Sequence, residues 1–204
     1  MKRRIKRILD VSLAVVALVV LSPLLGLVAL FIYLKMGKPV LFRQIRPGHK
    51  AKPFTLLKFR TMNTACDPQG CFLPDGERLT SLGKLLRQFS IDELPQLWNV
   101  LIGDMSLVGP RPLPLDYLPR YSAVQARRHE VKPGLTGWAQ VNGRNAIDWG
   151  ERLRLDIWYV DHWSLGIDFK IIWKTVPTLF KREGISKPGH ATMPEFVGDD
   201  QSGL

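Results

Sequence analysis

The sequence predicts an α+β fold, mostly helical. It combines an N-terminal re-entrant membrane hairpin of helix–break–helix form, a small β-hairpin, and amphipathic interfacial helices around a compact cytoplasmic domain. Three observations predict it. Residues 11–34 form one apolar run without a charged residue, divided by Ser22-Pro23. Residues 39–62 hold two β-prone runs around a proline–glycine turn. Residues 149–162 and 167–182 repeat apolar side chains at helical spacing.

Charge locates the first element. The chain of 204 residues has a formal net charge of +11. Residues 1–66 hold thirteen Lys and Arg against one acid, Asp10, whereas residues 67–204 hold sixteen against seventeen. The basicity is therefore local to the segment that contains the apolar run. Each Lys or Arg beside a membrane attracts anionic lipid by about 1 kcal/mol. A nucleic-acid arm would not embed twenty-four apolar residues between its charges, so nucleic acid is excluded as a partner and a membrane is selected. Cys66 and Cys71, with four scattered histidines, complete no zinc pattern and read as reduced thiols.

The apolar run is too long for a signal peptide, and Leu34-Lys35-Met36-Gly37 offers no cleavage site. As one straight helix it would be about 36 Å long, enough to span a core of about 30 Å. Two features argue for re-entry. Pro23 removes a backbone donor and bends a helix, and the Ser22 hydroxyl is placed to satisfy a freed carbonyl. Both flanks are basic: Lys2, Arg3, Arg4, Lys6 and Arg7 before the run, Lys35, Lys38, Arg43 and Arg46 after it. The positive-inside rule places both on the cytoplasmic face, so the segment is expected to enter and leave by one leaflet, with a proline-kinked span as the alternative.

The remaining elements follow in order. Residues 39–45 and 54–62 read as a hairpin around Arg46-Pro47-Gly48-His49, and residues 64–75 as a loop. Residues 79–88 read as a helix with Leu82, Leu85 and Leu86 on one face. A helix starts at Ser90 and ends near Gly103, and residues 115–130 are helical apart from Pro119. The glycine-rich stretch 131–145 holds a short strand at 138–141. The last helix sets Phe169, Ile172, Trp173, Val176 and Phe180 among Lys170, Lys174, Lys181 and Arg182. That pattern suits either the headgroup region or a core with a solvated basic face. Three divisions result: 1–36 as basic start and membrane helix, 37–183 as cytoplasmic domain, 184–204 as an extended tail.

Chemistry concentrates in residues 90–112, SIDELPQLWNVLIGDMSLVGPRP. Ser90 and Glu93 have capping-box spacing. A helix start there would favour ionised Asp92 by about 0.3–1 kcal/mol, leaving it a nucleophile or Mg²⁺ ligand at neutral pH. A carboxylate attacking phosphorus gives an acyl phosphate and divides one displacement into two steps. Arg111, between two prolines, is stiffly held for binding an oxyanion. Lys58 and Arg60 alternate along a strand with Phe59 opposite, as core-edge charges or as phosphate binders. Gly143-Arg144-Asn145 is a turn with two polar side chains suited to a sugar or nucleotide.

These residues resemble the bacterial sugar transferase family, the small monotopic phosphoglycosyl transferases. The matching motifs are Arg7, Asp10 and Ser22-Pro23, RPG at 46–48, KFRTM at 58–62, the stretch 90–112, and KPGLTGWAQVNGRN at 132–145. The likeness continues to GISKPGH at 184–190. It implies transfer of a sugar 1-phosphate from a UDP-sugar to undecaprenyl phosphate, with release of UMP, on the cytoplasmic face of the bacterial inner membrane. Asp92 would attack the β-phosphorus, and Glu93 would assist through Mg²⁺ or as a general base. Lys58, Arg60, Arg87 and Arg111 would bind phosphates, and Asp92 would share Mg²⁺ with the substrate. Gly143, Arg144 and Asn145 would contact the nucleotide-sugar. The short chain and its tail most resemble transferases of di-N-acetylbacillosamine 1-phosphate in protein glycosylation, with UDP-GlcNAc, UDP-GalNAc and other UDP-acetamido sugars as the open alternatives. O-antigen and capsule assembly are the neighbouring roles. Downstream glycosyltransferases are candidate partners, and a homodimer suits so small a membrane enzyme. The competing class is a non-catalytic anchored scaffold whose basic face binds anionic lipid or a partner enzyme.

Overall fold

A computed structural model describes residues 1–143, 147–180 and 195–198. The described residues are mostly helical, with two small two-stranded sheets among them. The N-terminal helix α1, Lys2–Met36, is long and apolar enough to cross a membrane, and only 11% of its most apolar stretch is buried. That separates it from the core helix of a soluble protein. The expected break at Ser22-Pro23 does not divide it: helix continues on both sides of Pro23. The physical reason is local. Pro23 has no N–H for Val19 O, and the Ser22 hydroxyl donates to that carbonyl instead, at 2.7 Å.

One face of α1 carries its buried residues on both sides of the proline: Asp10 and Ala14 before it, Val28 and Ile32 after it. Ala14 packs with Leu56, Leu97, Val100 and Met105. Val28 and Ile32 pack with Phe59 and Leu86. Polar contacts secure both ends. Lys6 Nζ donates to Val108 O (3.2 Å) and Asp168 Oδ2 (2.7 Å), and Arg7 donates to Val100 O and Leu101 O. Asp10 accepts from Ser106 Oγ (2.8 Å) and Leu107 N (3.1 Å). At the other end Arg60 donates to the carbonyls of Met36, Gly37 and Lys38.

The hairpin forms as β1, Leu41–Pro47, antiparallel to β2, Pro53–Phe59, with Gln44 opposite Leu56. Its turn lies later than expected. The Gly48 N–H donates to Lys52 O at 2.8 Å, so β1 runs through Pro47, and a 3₁₀ turn over His49–Ala51 makes the reversal. Helix α2, Asp75–Arg78, closes the loop after it. Helix α3, Ser81–Gln88, is capped by Thr80, whose hydroxyl accepts from Gly83 N at 2.9 Å. Only Leu86 of the three expected leucines is fully buried; Leu82 is half-buried and Leu85 is exposed.

Helix α4, Gln96–Ile102, ends at Gly103 in the left-handed conformation (φ 99°). Strand β3, Ser106–Val108, then pairs in parallel with β4, Gly134–Thr136. The strand expected at 138–141 is instead a helical turn, α6 (Trp138–Val141), and pairing falls on the glycines before it. A Cβ on Gly134 would collide with Gly109 N, and one on Gly137 with Gly109 O, so this crossing requires glycine. Between the strands, the single helix expected over 115–130 is broken into a 3₁₀ turn Leu115–Arg120, helix α5 (Ala123–Ala126) and a 3₁₀ turn Arg127–Glu130. Pro119 ends the first, and a capping box starts the second: Ser122 Oγ accepts from Gln125 N (3.3 Å) and Gln125 Oε1 from Ser122 N (2.9 Å).

Helices α7, Trp149–His162, and α8, Leu165–Phe180, complete the described core. Ile171 is buried with Val108 and Tyr159. Phe169, Trp173 and Val176 face outward at spacings of four and three, so an apolar stripe of α8 is left uncovered. Within the tail expected to be extended, Phe196 lies in the core beside Leu113, Tyr117 and Leu153, with its carbonyl bound by Arg120. Lys181, Arg182 and the 184–190 motif lie outside the described residues.

Candidate active site

Asp92 and Glu93 occupy a 3₁₀ turn, Ile91–Glu93, between α3 and α4. Ser90 adopts the left-handed conformation (φ 55°) and turns the chain out of α3. The expected capping box is therefore absent: Ser90 makes no side-chain cap, and α4 begins only at Gln96. The helix-dipole argument for Asp92 falls with it. Glu93 reaches instead to two cations brought from elsewhere in the chain.

Lys58, near the end of β2, donates to Glu93 Oε1 at 2.8 Å. Arg111 forks onto the same carboxylate, Nη1 to Oε2 at 3.0 Å and Nη2 to Oε1. The glycine crossing of β3 and β4 sets the Arg111 loop: Gly134 N donates to Pro110 O (3.0 Å) and Gly109 N to Thr136 O (2.9 Å). Arg128 Nη2 holds the Arg111 carbonyl at 2.7 Å. Burial alone would push Glu93 upward, but Arg111 and Lys58 outweigh it and hold the carboxyl far below the usual carboxylate range.

Asp92 differs in kind. It is 6% exposed, and among the described residues no hydrogen bond or ion pair occupies its carboxylate. Burial, then the charge of Glu93, raises its pKa against the opposing pull of Lys58, Arg87 and Arg111. Arg87 is fixed by its Nε donating to Thr61 Oγ1 at 3.1 Å, where α3 lies so close to the backbone that a Cβ on Gly83 would strike Thr61 O. The charges of Lys58, Arg87 and Arg111 thus all act on Asp92.

Arg60 does not join them. Its guanidinium is committed to the carbonyls that end α1, which makes it a structural cap. Gly143 follows α6, where a Cβ would collide with Ile147; Arg144 and Asn145 lie outside the described residues.

A second polar cluster was missed. Arg128 forms a buried ion pair with Asp156 (2.7 Å), flanked by Arg152, and Arg46 stands close enough to feel the charge of Arg111. A helical-face reading could have found part of it: Arg152, Leu153, Asp156 and Tyr159 form the buried stripe of α7, and two charges on such a stripe are unusual.

Three cations around an open carboxylate suit attack on a phosphate ester, or shared metal binding with one. Among the described residues no group of three or more His, Cys, Asp or Glu could hold a metal ion. Mg²⁺ needs fewer, because it commonly binds one or two carboxylates together with substrate phosphates. The open Asp92 carboxylate fits that role, whereas Glu93 has both oxygens engaged.

The sequence model described as bacterial sugar transferase matches residues 1–182. An uncharacterized sugar transferase, EpsL of Bacillus subtilis, is 54% identical over 95% of this chain and 96% of its own length. The UDP-glucose:undecaprenyl-phosphate glucose-1-phosphate transferase of Caulobacter vibrioides is 47% identical over 85% of this chain and 69% of its own. The undecaprenyl-phosphate galactose phosphotransferase of Salmonella typhimurium is 38% identical over 89% of this chain, which spans 42% of that protein.

Proposed function

The chain belongs to the bacterial sugar transferase family, and we propose that it moves a sugar 1-phosphate from a UDP-sugar to undecaprenyl phosphate through a covalent Asp92 intermediate. The observation that carries the reading is the contrast between the carboxylates: Glu93 is saturated by Lys58 and Arg111, while Asp92 beside it is open.

In the first step an Asp92 carboxylate oxygen forms a bond to the β-phosphorus. The bond from that phosphorus to the bridging oxygen breaks, and UMP leaves with the oxygen and its electron pair. In the second, an oxygen of undecaprenyl phosphate attacks the same phosphorus and Asp92 departs, regenerating the carboxylate. Lys58, Arg87 and Arg111 hold the phosphoryl oxygens and offset charge in both displacements. Glu93 acts through Lys58 and Arg111, which it positions; its depressed pKa and engaged oxygens argue against a general base. Mg²⁺ held by Asp92 and the substrate phosphates would neutralise diphosphate charge.

The membrane placement has its own support. Both ends of α1 bind the same folded unit, Lys6 and Asp10 at one and Met36 and Gly37 at the other. A helix with both ends on one side of a bilayer re-enters or lies in the interface, which agrees with its two basic flanks. The uncovered α8 stripe fits the same cytoplasmic surface.

The test is UMP release by the full chain in nanodiscs, with undecaprenyl phosphate and a panel of UDP-sugars. The panel contains UDP-N,N'-diacetylbacillosamine, UDP-GlcNAc and UDP-GalNAc, beside UDP-glucose and UDP-galactose, which carry the sugars in the relatives' names. Without acceptor, the intact mass rises by one sugar phosphate, and Asp92→Asn removes both signals. Full turnover by Asp92→Asn overturns the reading. Salt-sensitive liposome binding without UMP release from any sugar identifies an anchored scaffold.

A further inference from the structure

Arg111 sits between Pro110 and Pro112, neither of which has a backbone N–H to donate. Prolines leave a loop few donors, so its carbonyls carry the anchoring bonds. Pro110 O is taken by the backbone of β4, from Gly134 N at 3.0 Å. Arg111 O is taken by a side chain: Arg128 Nη2 donates to it at 2.7 Å. Pro112 restricts Arg111 to extended backbone, so fixing this carbonyl also fixes the direction in which the Arg111 side chain leaves the loop. That side chain ends in the fork onto Glu93.

Arg128 is fixed in its turn. Its Nε (3.1 Å) and Nη2 (2.7 Å) both donate to Asp156 Oδ2 on α7, and its Nη1 donates to the Tyr121 hydroxyl at 3.3 Å. A planar guanidinium with each nitrogen engaged has little freedom to swing. Only 2% of either side chain of the Arg128–Asp156 pair is exposed. Stability alone does not explain such a pair, because apolar residues of similar volume often serve a core as well or better. Apolar residues could not hold a carbonyl.

We propose that Arg128 is a positioning residue for the transfer, acting through Arg111, and that Asp156 holds Arg128 in place for that task. The inference rests on the proposed reaction, in which Arg111 meets the phosphoryl oxygens. Bonded groups run without a gap from α7 to the cleft: Asp156 to Arg128, Arg128 to the Arg111 carbonyl, and the Arg111 guanidinium to Glu93 beside Asp92. Releasing the carbonyl lets the loop turn, and a misplacement of about 1 Å can cost about a hundredfold in rate.

The experiment is a double-mutant cycle on UMP release by the full chain in nanodiscs, read under single-turnover conditions. Arg128→Lys keeps the charge but cannot hold Asp156 and the carbonyl in one plane. Its rate is expected to fall about ten- to a hundredfold. In the Arg111→Ala background the same change is expected to cost less than about threefold, because the group that it positions is already gone. Equal losses in both backgrounds overturn the proposal. Should Arg128→Lys fail to fold, Arg128→Met combined with Asp156→Leu removes both charges together and leaves an apolar core. Full turnover in that folded variant overturns the proposal, whereas a fall with the melting temperature kept supports it. Phenylglyoxal supplies a readout independent of the reaction, scored by peptide mass. Arg111 should be modified faster in either folded variant, with exposed Arg43 unchanged as the reference. Unchanged Arg111 reactivity overturns the positioning. Absence of UMP release from the unaltered chain overturns the reaction alone, and Arg111 reactivity then decides the positioning by itself.

Discussion

Two buried regions of this molecule treat a carboxylate in opposite ways. In the clamp that joins α1 to α7 and α8, Asp168 is saturated: Oδ2 accepts from Lys6 (2.7 Å) and Trp163 Nε1 (3.2 Å), and Oδ1 from the Tyr159 hydroxyl (2.7 Å). In the cleft between α3 and α4, Asp92 is as deeply buried and holds no such partner among the described residues. The first charge is matched donor for acceptor, and the second is left unmatched, as the proposed role of Asp92 requires. The cost of an unmatched buried charge is local instability.

The sharpest break of this comparison is Asp92→Asn. Turnover should fall by at least about a thousandfold, as expected on loss of a covalent nucleophile, while the melting temperature rises. The rise follows from sign: a raised folded pKa means that ionising Asp92 costs stability, so removing the charge at neutral pH restores it. By the same linkage kcat increases with pH through the raised Asp92 pKa while stability drifts down. A lowered melting temperature in Asp92→Asn would place Asp92 with the structural carboxylates.

Next in size is Asp168→Ala, which strands Lys6, Tyr159 and Trp163 at once. Denaturant unfolding in detergent should show a loss of about 3–5 kcal/mol. Glu93→Gln lies between the two regions because Glu93 sits in the cleft but is saturated like Asp168. It should cost about 2–3 kcal/mol and slow turnover about ten- to a hundredfold through Lys58 and Arg111. Stopped-flow UMP release would read this as a fall in kcat and a rise in KM together.

A smaller effect concerns His129, held neutral down to about pH 4 by burial and then by Arg128. Between about pH 6.5 and pH 4 the unfolded chain binds a proton that the folded chain refuses. Stability should therefore drop as pH falls, by at most about 1.4 kcal/mol per unit, and His129→Gln should flatten that slope. Smallest is Trp173→Ala on the uncovered α8 stripe. It should weaken vesicle binding severalfold with melting unchanged; a large loss of stability would mean that Trp173 packs inside.

How legible these features were in the sequence depended on how far apart their partners lie. Helix α7 was read to the residue because its period is internal, and the hairpin was found because proline and glycine mark its turn. Asp92, Glu93, Lys58 and Arg111 were singled out by residue type and motif. Their roles came only from the resemblance, and the pairing of Glu93 with Lys58 and Arg111 was not legible, because the Lys58–Glu93 pair joins positions 35 residues apart. Ser90 shows the limit of local spacing: the capping pattern is present at 90–93, yet a left-handed backbone at Ser90 withdraws it, while the box that forms lies at Ser122. Arg60 was misassigned because alternation along β2 cannot reveal that α1 ends nearby with carbonyls to fill.

The clamp also has a meaning in time. Lys6 meets Asp168 across 162 positions, and Asp10 meets Ser106 across 96. During synthesis α1 leaves the ribosome before these polar partners exist. The Asp92 turn and the Arg111 loop then assemble against a helix already made, the α8 contact closes after them, and that of Phe196 follows. Helix α1 is therefore the template against which these later elements close.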